Sequence, residues 1–141
     1  MEGTLIRQIK LDNGLTLEMF DLSRHVAGGR WLVSFEARIE VRVRPEYFVE
    51  DSRTHIDLEG IQALLGEIVT YRYTKERNFI AESEKDAILK VLEEHFLDAT
   101  LCYLSSPEFP RGLILSRYQE ALSRQRRFLP DARSDELKYI H

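Results

Sequence analysis

The sequence predicts an α+β domain: an antiparallel sheet of about four strands with about three helices packed on one face. Segments that alternate apolar and polar residues occupy the first half of the chain, and segments of helical periodicity fill most of the second. The longest alternating segment carries charges on one side, and antiparallel sheets commonly expose one face to water. No linker, repeat or low-complexity run divides the chain. We therefore expect a single domain over residues 1–141, with a tail after about residue 130 that frays.

The first two alternating segments, residues 5–11 and 15–20, predict a β-hairpin. A two-residue loop would make apolar residues of one strand face polar residues of the other. A three-residue loop instead sets Leu11 against Leu15, so that apolar residues share a face. We therefore predict a type I turn with Gly14 left-handed in a bulge.

The long strand spans residues 31–44. Its odd positions are apolar: Trp31, Val33, Phe35, Ala37, Ile39, Val41 and Val43. Its even positions from residue 34 onward are polar: Ser34, Glu36, Arg38, Glu40, Arg42 and Arg44. Only a strand places alternate residues on opposite faces, so one face should be buried and the other wet and charged. Such a strand would reach about 45 Å, which favours a bend or bulge near Ala37.

Residues 23–30 should form a looser hairpin connection, which makes the first three strands an N-terminal meander. Pro45 lacks a backbone donor and should end the long strand, and residues 46–54 are polar enough to be an exposed connection. Residues 68–74 are β-branched and aromatic, so they predict a fourth strand that runs on toward Phe79.

The helical segments follow from spacing and from capping residues. A short helix should begin after Asp57 as its N-cap and end at Gly66. A long helix should run from about Glu84 to Leu104, with Ser83 capping its first turn and a last part buried on more than one side. A third helix should cover residues 111 to about 128, with Pro110 in its first turn.

Composition limits the class of protein. The chain is 43% hydrophobic and 31% charged, as in ordinary globular domains, and its single Cys102 excludes an internal disulfide framework. Residues 111–141 hold seven basic and four acidic residues, a balance of +3 against −4 for the whole chain. The first residues do not resemble a secretory signal, and no apolar run could span a membrane. We expect a cytoplasmic protein without a membrane partner.

Two groups of residues could carry catalysis. His95, Asp98 and Cys102 share one face of the predicted long helix and could offer a metal ligands or a reactive thiolate. The reading that we favour is structural, with Cys102 in the core and His95 at its boundary. Asp51, Ser52, His55 and Asp57 could form a Ser/His/Asp grouping, but an N-cap role for Asp57 is the simpler explanation. We therefore expect no catalytic site, no metal and no cofactor.

Two further groups could bind anions. His25 lies between Arg24 and Arg30 next to two glycines, where guanidinium groups and exposed amides could hold an anion, although a flexible hairpin explains the same residues. Arginines recur along the predicted third helix and could contact phosphates of a nucleic acid or another anionic partner: Arg117, Arg124, Arg126 and Arg127. A solvated helix face, with Glu120 pairing some of these arginines, is the alternative that we favour.

The charged face of the long strand could instead contact a partner. Its candidate interface residues are Arg38, Arg42 and Arg44, together with Tyr47 and Phe48 just beyond the strand. Three functions remain open. We favour a non-catalytic interaction or assembly domain, possibly a homodimer. The alternatives are a nucleic-acid accessory domain that uses the arginine-rich helix, and a small enzyme or ligand-binding protein with a pocket between the fourth strand and the helix that bears His95.

Overall fold

The computed structural model describes residues 3–48 and 57–127 and confirms the α+β class. Within these residues, five strands form one antiparallel sheet, and three α-helices accompany them. The strands are β1 (Thr4–Lys10), β2 (Thr16–Asp21), β3 (Arg24–Ala27), β4 (Arg30–Arg42) and β5 (Ile68–Ala81). The helices are α1 (Leu58–Leu65), α2 (Lys85–Leu104) and α3 (Phe109–Arg127), with short 3-10 turns at Pro45–Phe48 and Glu82–Glu84.

The chain divides into two compact units. The first consists of Met1–Arg42 with Thr70–Pro110, and it contains nearly all of the sheet and the whole of α2. The second consists of Val43–Val69 with Arg111–His141, and it contains α1 and most of α3. The tail predicted after residue 130 lies outside the described residues.

β4 is the central strand, since β2, β3 and β5 all pair with it. β2 and β3 continue one register along the same edge of β4, because Asp21 faces Phe35 and Arg24 faces Leu32. Between them, the Ser23 hydroxyl takes the place of a backbone acceptor and receives the Ser34 amide at 3.0 Å. β5 therefore occupies the opposite edge of β4. The connection expected over residues 23–30 is thus mostly paired strand.

The alternation of β4 produces the predicted buried face. Every odd position from Val33 to Val43 is buried, and the Phe35 ring packs 5.6 Å from the ring of Phe96 in α2. The bulge expected near Ala37 is wrong: β2 pairs with β4 in one unbroken register across that position. The irregularities lie instead in the edge strands β1 and β3, which can bend without interrupting pairing on a second side.

The first hairpin has the predicted three-residue loop. The Leu11 amide donates to the Leu15 carbonyl at 2.8 Å, and Gly14 has a φ of +91°. The Asn13 side chain then donates to the carbonyls of Leu104 and Ser106, each at 2.8 Å. The turn therefore supplies a donor to Leu104 in the last turn of α2, where carbonyls lack intrahelical partners, and to Ser106 beyond it, whose carbonyl also accepts the Phe109 amide.

The helix ends test the capping predictions. Asp57 caps α1 by accepting the Gly60 amide at 3.0 Å, and Gly66 ends the helix with a φ of +85°, as predicted. Ser83 is not the cap of α2, because it lies in the 3-10 turn Glu82–Glu84 and no side chain caps the helix at Glu84. Pro110 does lie in the first turn of α3.

The last turn of α2 is not buried on more than one side. Leu104 is fully buried, whereas Tyr103 is 60% exposed and Cys102 is exposed. An apolar side chain at the surface costs little when its neighbours already anchor the helix, so composition alone overestimated burial here.

Tyr71 belongs to an aromatic cluster on the buried side of β5. Its ring meets the ring of Phe109 edge-on at 5.6 Å, and Tyr73 lies 4.8 Å from Phe96. Burial raises the pKa of the Tyr71 hydroxyl above its ordinary value of 10.0, and the nearby Tyr103 and Tyr73 hydroxyls add to that rise. Folding therefore favours the neutral form of Tyr71.

This shift predicts a loss of stability in alkaline solution. Above about pH 10 the unfolded chain releases a proton that folded Tyr71 retains, so the free energy of unfolding falls as pH rises toward the folded pKa. Tyr71→Phe should make this decline shallower. Urea unfolding from about pH 8 to about pH 11 measures it. Tyr47→Phe, outside the cluster, is the matched control, and equal slopes for both variants would contradict the assignment.

Candidate assembly interface

One edge of β5 carries no strand among the residues that the structure describes. β5 is 14 residues long and pairs only with β4 there. β1, at the far side of the sheet, is half that length at 7 residues, and its register shifts between Leu5 and Arg7. The third outer strand, β3, has only 4 residues, so β5 is the longest of the three outer strands.

Facing residues of β4 and β5 are identified by contacts across the pair. The Ser34 hydroxyl donates to the Glu76 carboxylate at 3.3 Å, and the Thr74 hydroxyl donates to the Glu36 carboxylate at 3.4 Å. Both pairs have even residue numbers and lie on the same face of the sheet. The strands run antiparallel, so the register advances one residue on β4 for each step back on β5.

The direction of the backbone N–H and C=O groups alternates along each strand. This alternation decides which residues of β5 direct their amides toward the open edge. The Leu22 amide donates to the Ser34 carbonyl, so even residues of β4 direct their backbone groups toward β2. Just beyond β4, in the same register, the Val43 amide donates to the Glu67 carbonyl, an odd pair. Odd residues of β5 therefore bond to β4, and even residues such as Thr74 direct their amides and carbonyls outward.

The side chains along this edge are largely exposed. Those exposed on the β5 segment that follows the two half-buried tyrosines are Thr74, Lys75, Glu76, Arg77, Asn78 and Phe79. Phe79 has a φ of +63° and is 70% exposed, so the regular alternation ends at Asn78. Arg30 lies over the Phe79 ring at 5.7 Å.

The even face of β4 is less exposed to water than the sequence predicts. Ser34 and Glu36 are buried, at 3% and 6% exposure. The Glu36 carboxylate forms ion pairs with Arg38 and, at 3.3 Å, with Arg72. Phe20 of β2 faces Glu36 directly, and the Arg38 guanidinium lies 4.1 Å over its ring. Alternation predicted the face correctly, but the stacked arginine and phenylalanine remove its centre from water.

Beside this cluster the even face forms an open cleft of about 480 Å³. Polar residues from all five described strands and the β2–β3 junction line it, among them Asp21, Ser23, Arg24 and Glu76. The pocket that the enzyme hypothesis requires would lie on the other side, between β5 and α2. There, the Tyr73 ring packs against the Phe96 ring, with centroids 4.8 Å apart.

The structure describes all of the first predicted catalytic group and only one residue of the second. His95, Asp98 and Cys102 are all exposed on α2, so Cys102 is not a core residue. Within residues 3–48 and 57–127, no group of three or more His, Cys, Asp or Glu side chains could hold a metal ion. Asp57 is the cap of α1. Its proposed companions Asp51, Ser52 and His55 lie outside the described residues.

The predicted anion-binding residues are placed as follows. The His25 ring meets Trp31 edge-on at 5.7 Å, and the Lys85 ammonium lies 4.8 Å over that indole. The segment around His25 is thus strand β3 and not an open anion-binding loop. On α3, Arg124 and Arg126 are exposed, Arg117 is half-buried and Arg127 is the last residue of the helix.

The predicted interface residues do not share one environment. Arg38 is mostly covered and bound to Glu36, whereas Arg42 and Arg44 are exposed. Tyr47 is half-buried, and Phe48, at 8% exposure, does not present its ring to a partner. A 3-10 turn spans Pro45–Phe48, and Phe48 is buried where the sequence predicted an exposed connection.

Sequence reasoning missed the open edge of β5. The signal was present in residues 71–77, Tyr-Arg-Tyr-Thr-Lys-Glu-Arg, whose charges and aromatic rings are arranged around Thr74. A strand's position at the edge of a sheet depends on the path of the whole chain, so the local pattern was read only as a strand.

No protein-family model, curated protein or solved structure matches this chain. Among the described helices, none has the length and apolar character needed to cross a membrane. We therefore infer the function from the chain's own residues.

The buried carboxylate of Glu36 gives a stability prediction. Glu36→Gln keeps the shape but removes the charge that Arg38 and Arg72 share, so the free energy of unfolding should fall by about 1–3 kcal/mol. Urea unfolding measures the loss. Glu40→Gln, at an exposed position of the same strand and face, should change it by less than about 0.5 kcal/mol. Equal effects at the two positions would show that the Glu36 cluster contributes nothing specific.

Proposed function

We propose that this chain is a non-catalytic assembly domain that pairs with a second copy of itself through the open edge of β5. The observation that carries this proposal is the 14-residue strand whose outer side has no partner strand within the described part of the chain. An unpaired strand edge presents a row of amides and carbonyls, and another strand satisfies them with regular hydrogen bonds.

The contrast between β5 and the shorter outer strands β1 and β3 supports the choice of β5. Proteins that keep their edges unpaired use short strands, bulges and prolines to block further pairing. β1 is short and has a register shift. β5 contains no proline, and Phe79, near its end, is its only residue of positive φ. Short length and a bulge therefore protect β1, whereas the protection on β5 consists mainly of its charged side chains, which restrict the register of pairing.

The charges on the edge favour a second copy as the partner. Arg72, Lys75 and Arg77 alternate with neutral residues and with Glu76, so the edge presents both signs at short spacing. A partner of one sign would meet repulsion at some of these positions. A copy of the same strand in antiparallel orientation carries both signs and can place Arg72 opposite Glu76 without placing like charges face to face. Closed homodimers of this two-fold type are the commonest oligomers.

Thr74→Pro tests the edge directly. The Thr74 amide points outward, so proline removes a donor needed by a partner strand while the β4–β5 hydrogen bonds remain. We expect the native chain to approach twice its 16.6 kDa mass as concentration rises in light scattering, and Thr74→Pro to stay monomeric.

Thr74→Ala, which keeps the amide, is the matched control and should still dimerise. Thermal melting should show that the proline variant remains folded. A native chain that stays at 16.6 kDa at every concentration, or a folded proline variant that dimerises normally, would refute the proposal.

A further inference from the structure

We propose that the two copies pair antiparallel with Thr74 facing Thr74, so that the two-fold axis passes between these residues and joins the two sheets into one. This inference rests on the proposed assembly function and adds the register of the contact. It follows from the alternation of β5, from the order of its charges and from the point at which its regular backbone ends.

Alternation restricts the possible registers. Residues that face each other across an antiparallel pair lie on the same face and direct their backbone groups alike. In a symmetric pair of identical strands, the axis must therefore pass beside a residue and never between two. Because Thr74 directs its amide and carbonyl outward, it can exchange both hydrogen bonds with its counterpart.

Charge selects among the registers near the middle of β5. An axis at Arg72, Lys75 or Glu76 would place that residue opposite an identical charge. An axis at Tyr73 would place Arg72 opposite a threonine and would form no ion pair. An axis at Thr74 is the one register of these five that places opposite charges face to face and no like charges.

On the even face, this register places Arg72 opposite Glu76 of the second copy, and the symmetry produces the pair twice. Within one copy, Glu36 already holds both Arg38 and Arg72, which leaves one positive charge in excess. Glu76 of the second copy would balance it. The Arg72 side chain is 58% exposed and has five donor hydrogens, so it can bind both carboxylates.

On the odd face, the same register places Lys75 opposite Tyr73 and Arg77 opposite Tyr71 of the second copy. Both tyrosines are half-buried, so their rings pack on the core but still offer an outer part to a cation. The Phe96 ring of α2 contacts both Phe35 of β4 and Tyr73 of β5, so α2 lies over this pair of strands. The two α2 helices would then be two to three strand spacings apart, about 10–14 Å, and packed helices need roughly 10 Å, so they can lie side by side.

The backbone of β5 also limits the centre. Regular alternation ends where Phe79 adopts a φ of +63°, so pairing can extend to Asn78. The Thr74-centred register keeps the four residues from Lys75 to Asn78 in regular pairing, whereas an axis nearer Asn78 would shorten it. Phe79, at 70% exposure, lies next to this segment, and the second copy would cover part of its ring.

Disulfide trapping tests the register. In a Cys102→Ser background, which removes the exposed native thiol, Thr74→Cys should form a covalent dimer rapidly with oxidised glutathione. Facing residues of this kind lie about 5.5 Å apart between Cα atoms, within disulfide range. Asn78→Cys is the matched control, because its two copies would lie roughly 27 Å apart, eight residues along the strands.

The outcomes separate the register from the proposed function. Trapping of Thr74→Cys but not of Asn78→Cys supports the register. If light scattering shows a dimer but the disulfide forms at Asn78→Cys, or at neither position, the register is overturned and the assembly function stands. If the Cys102→Ser protein remains monomeric at all concentrations, both the register and the assembly function are overturned.

A charge exchange gives an independent test. In a dimer of the Arg72→Glu variant, the introduced glutamate would face Glu76 of the second copy. In a dimer of the Glu76→Arg variant, the introduced arginine would face Arg72 of the second copy. Each variant should therefore dimerise several-fold more weakly than the native chain. Mixed together, they place opposite charges at both sites, and native mass spectrometry should show the mixed dimer in excess. Arg77→Glu mixed with Glu76→Arg is the control and should give no excess, since residues 76 and 77 do not face each other. Equal amounts of mixed and unmixed dimers in the first mixture would refute the register.

Discussion

The packing of β4 beneath α2 is the contact on which the rest of the first unit depends. Phe35 and Phe96 meet at 5.6 Å, and the odd positions of β4 from Val33 onward are fully or nearly fully buried. Burial of that apolar face holds the strand at the centre of the sheet with a neighbour on each edge. Because side chains alternate strictly, fixing the odd face also fixes where every even residue lies.

The same alternation applies to the backbone and links the core to the surface. If odd residues of β5 bond to β4, even residues must direct their amides away from it. The open edge is thus a consequence of how the core is packed, and no separate binding element is needed to create it. Tyr71 and Tyr73 connect the core to the open edge, because their rings pack in the core while the backbone groups of their neighbours Arg72 and Thr74 point toward that edge.

Features that depend on local spacing could be predicted from the sequence. The period of two predicted β4 and β5, the three-residue loop predicted the pairing of Leu11 with Leu15, and Asp57 and Gly66 marked the ends of α1. Features that depend on distant neighbours could not. The exposure of Glu36 to water depends on Phe20 and on its arginine partners. At the start of α2, a 3-10 turn takes the place of the cap predicted at Ser83.

The candidate interface on β5 is one of the features that depend on distant neighbours. The order Tyr-Arg-Tyr-Thr-Lys-Glu-Arg is visible in the sequence, but it predicts an interface only once β5 is known to be an outer strand.

The composition of β5 explains why an open edge need not lead to uncontrolled aggregation. A long, apolar edge would accept many strands in many registers. Charges at Arg72, Lys75, Glu76 and Arg77 make most registers repulsive, and the left-handed Phe79 interrupts the strand near its end. In a symmetric antiparallel pair each copy uses its only open β5 edge, so the contact closes at two chains. The charges therefore select the partner and the register, while the backbone hydrogen bonds supply the attraction.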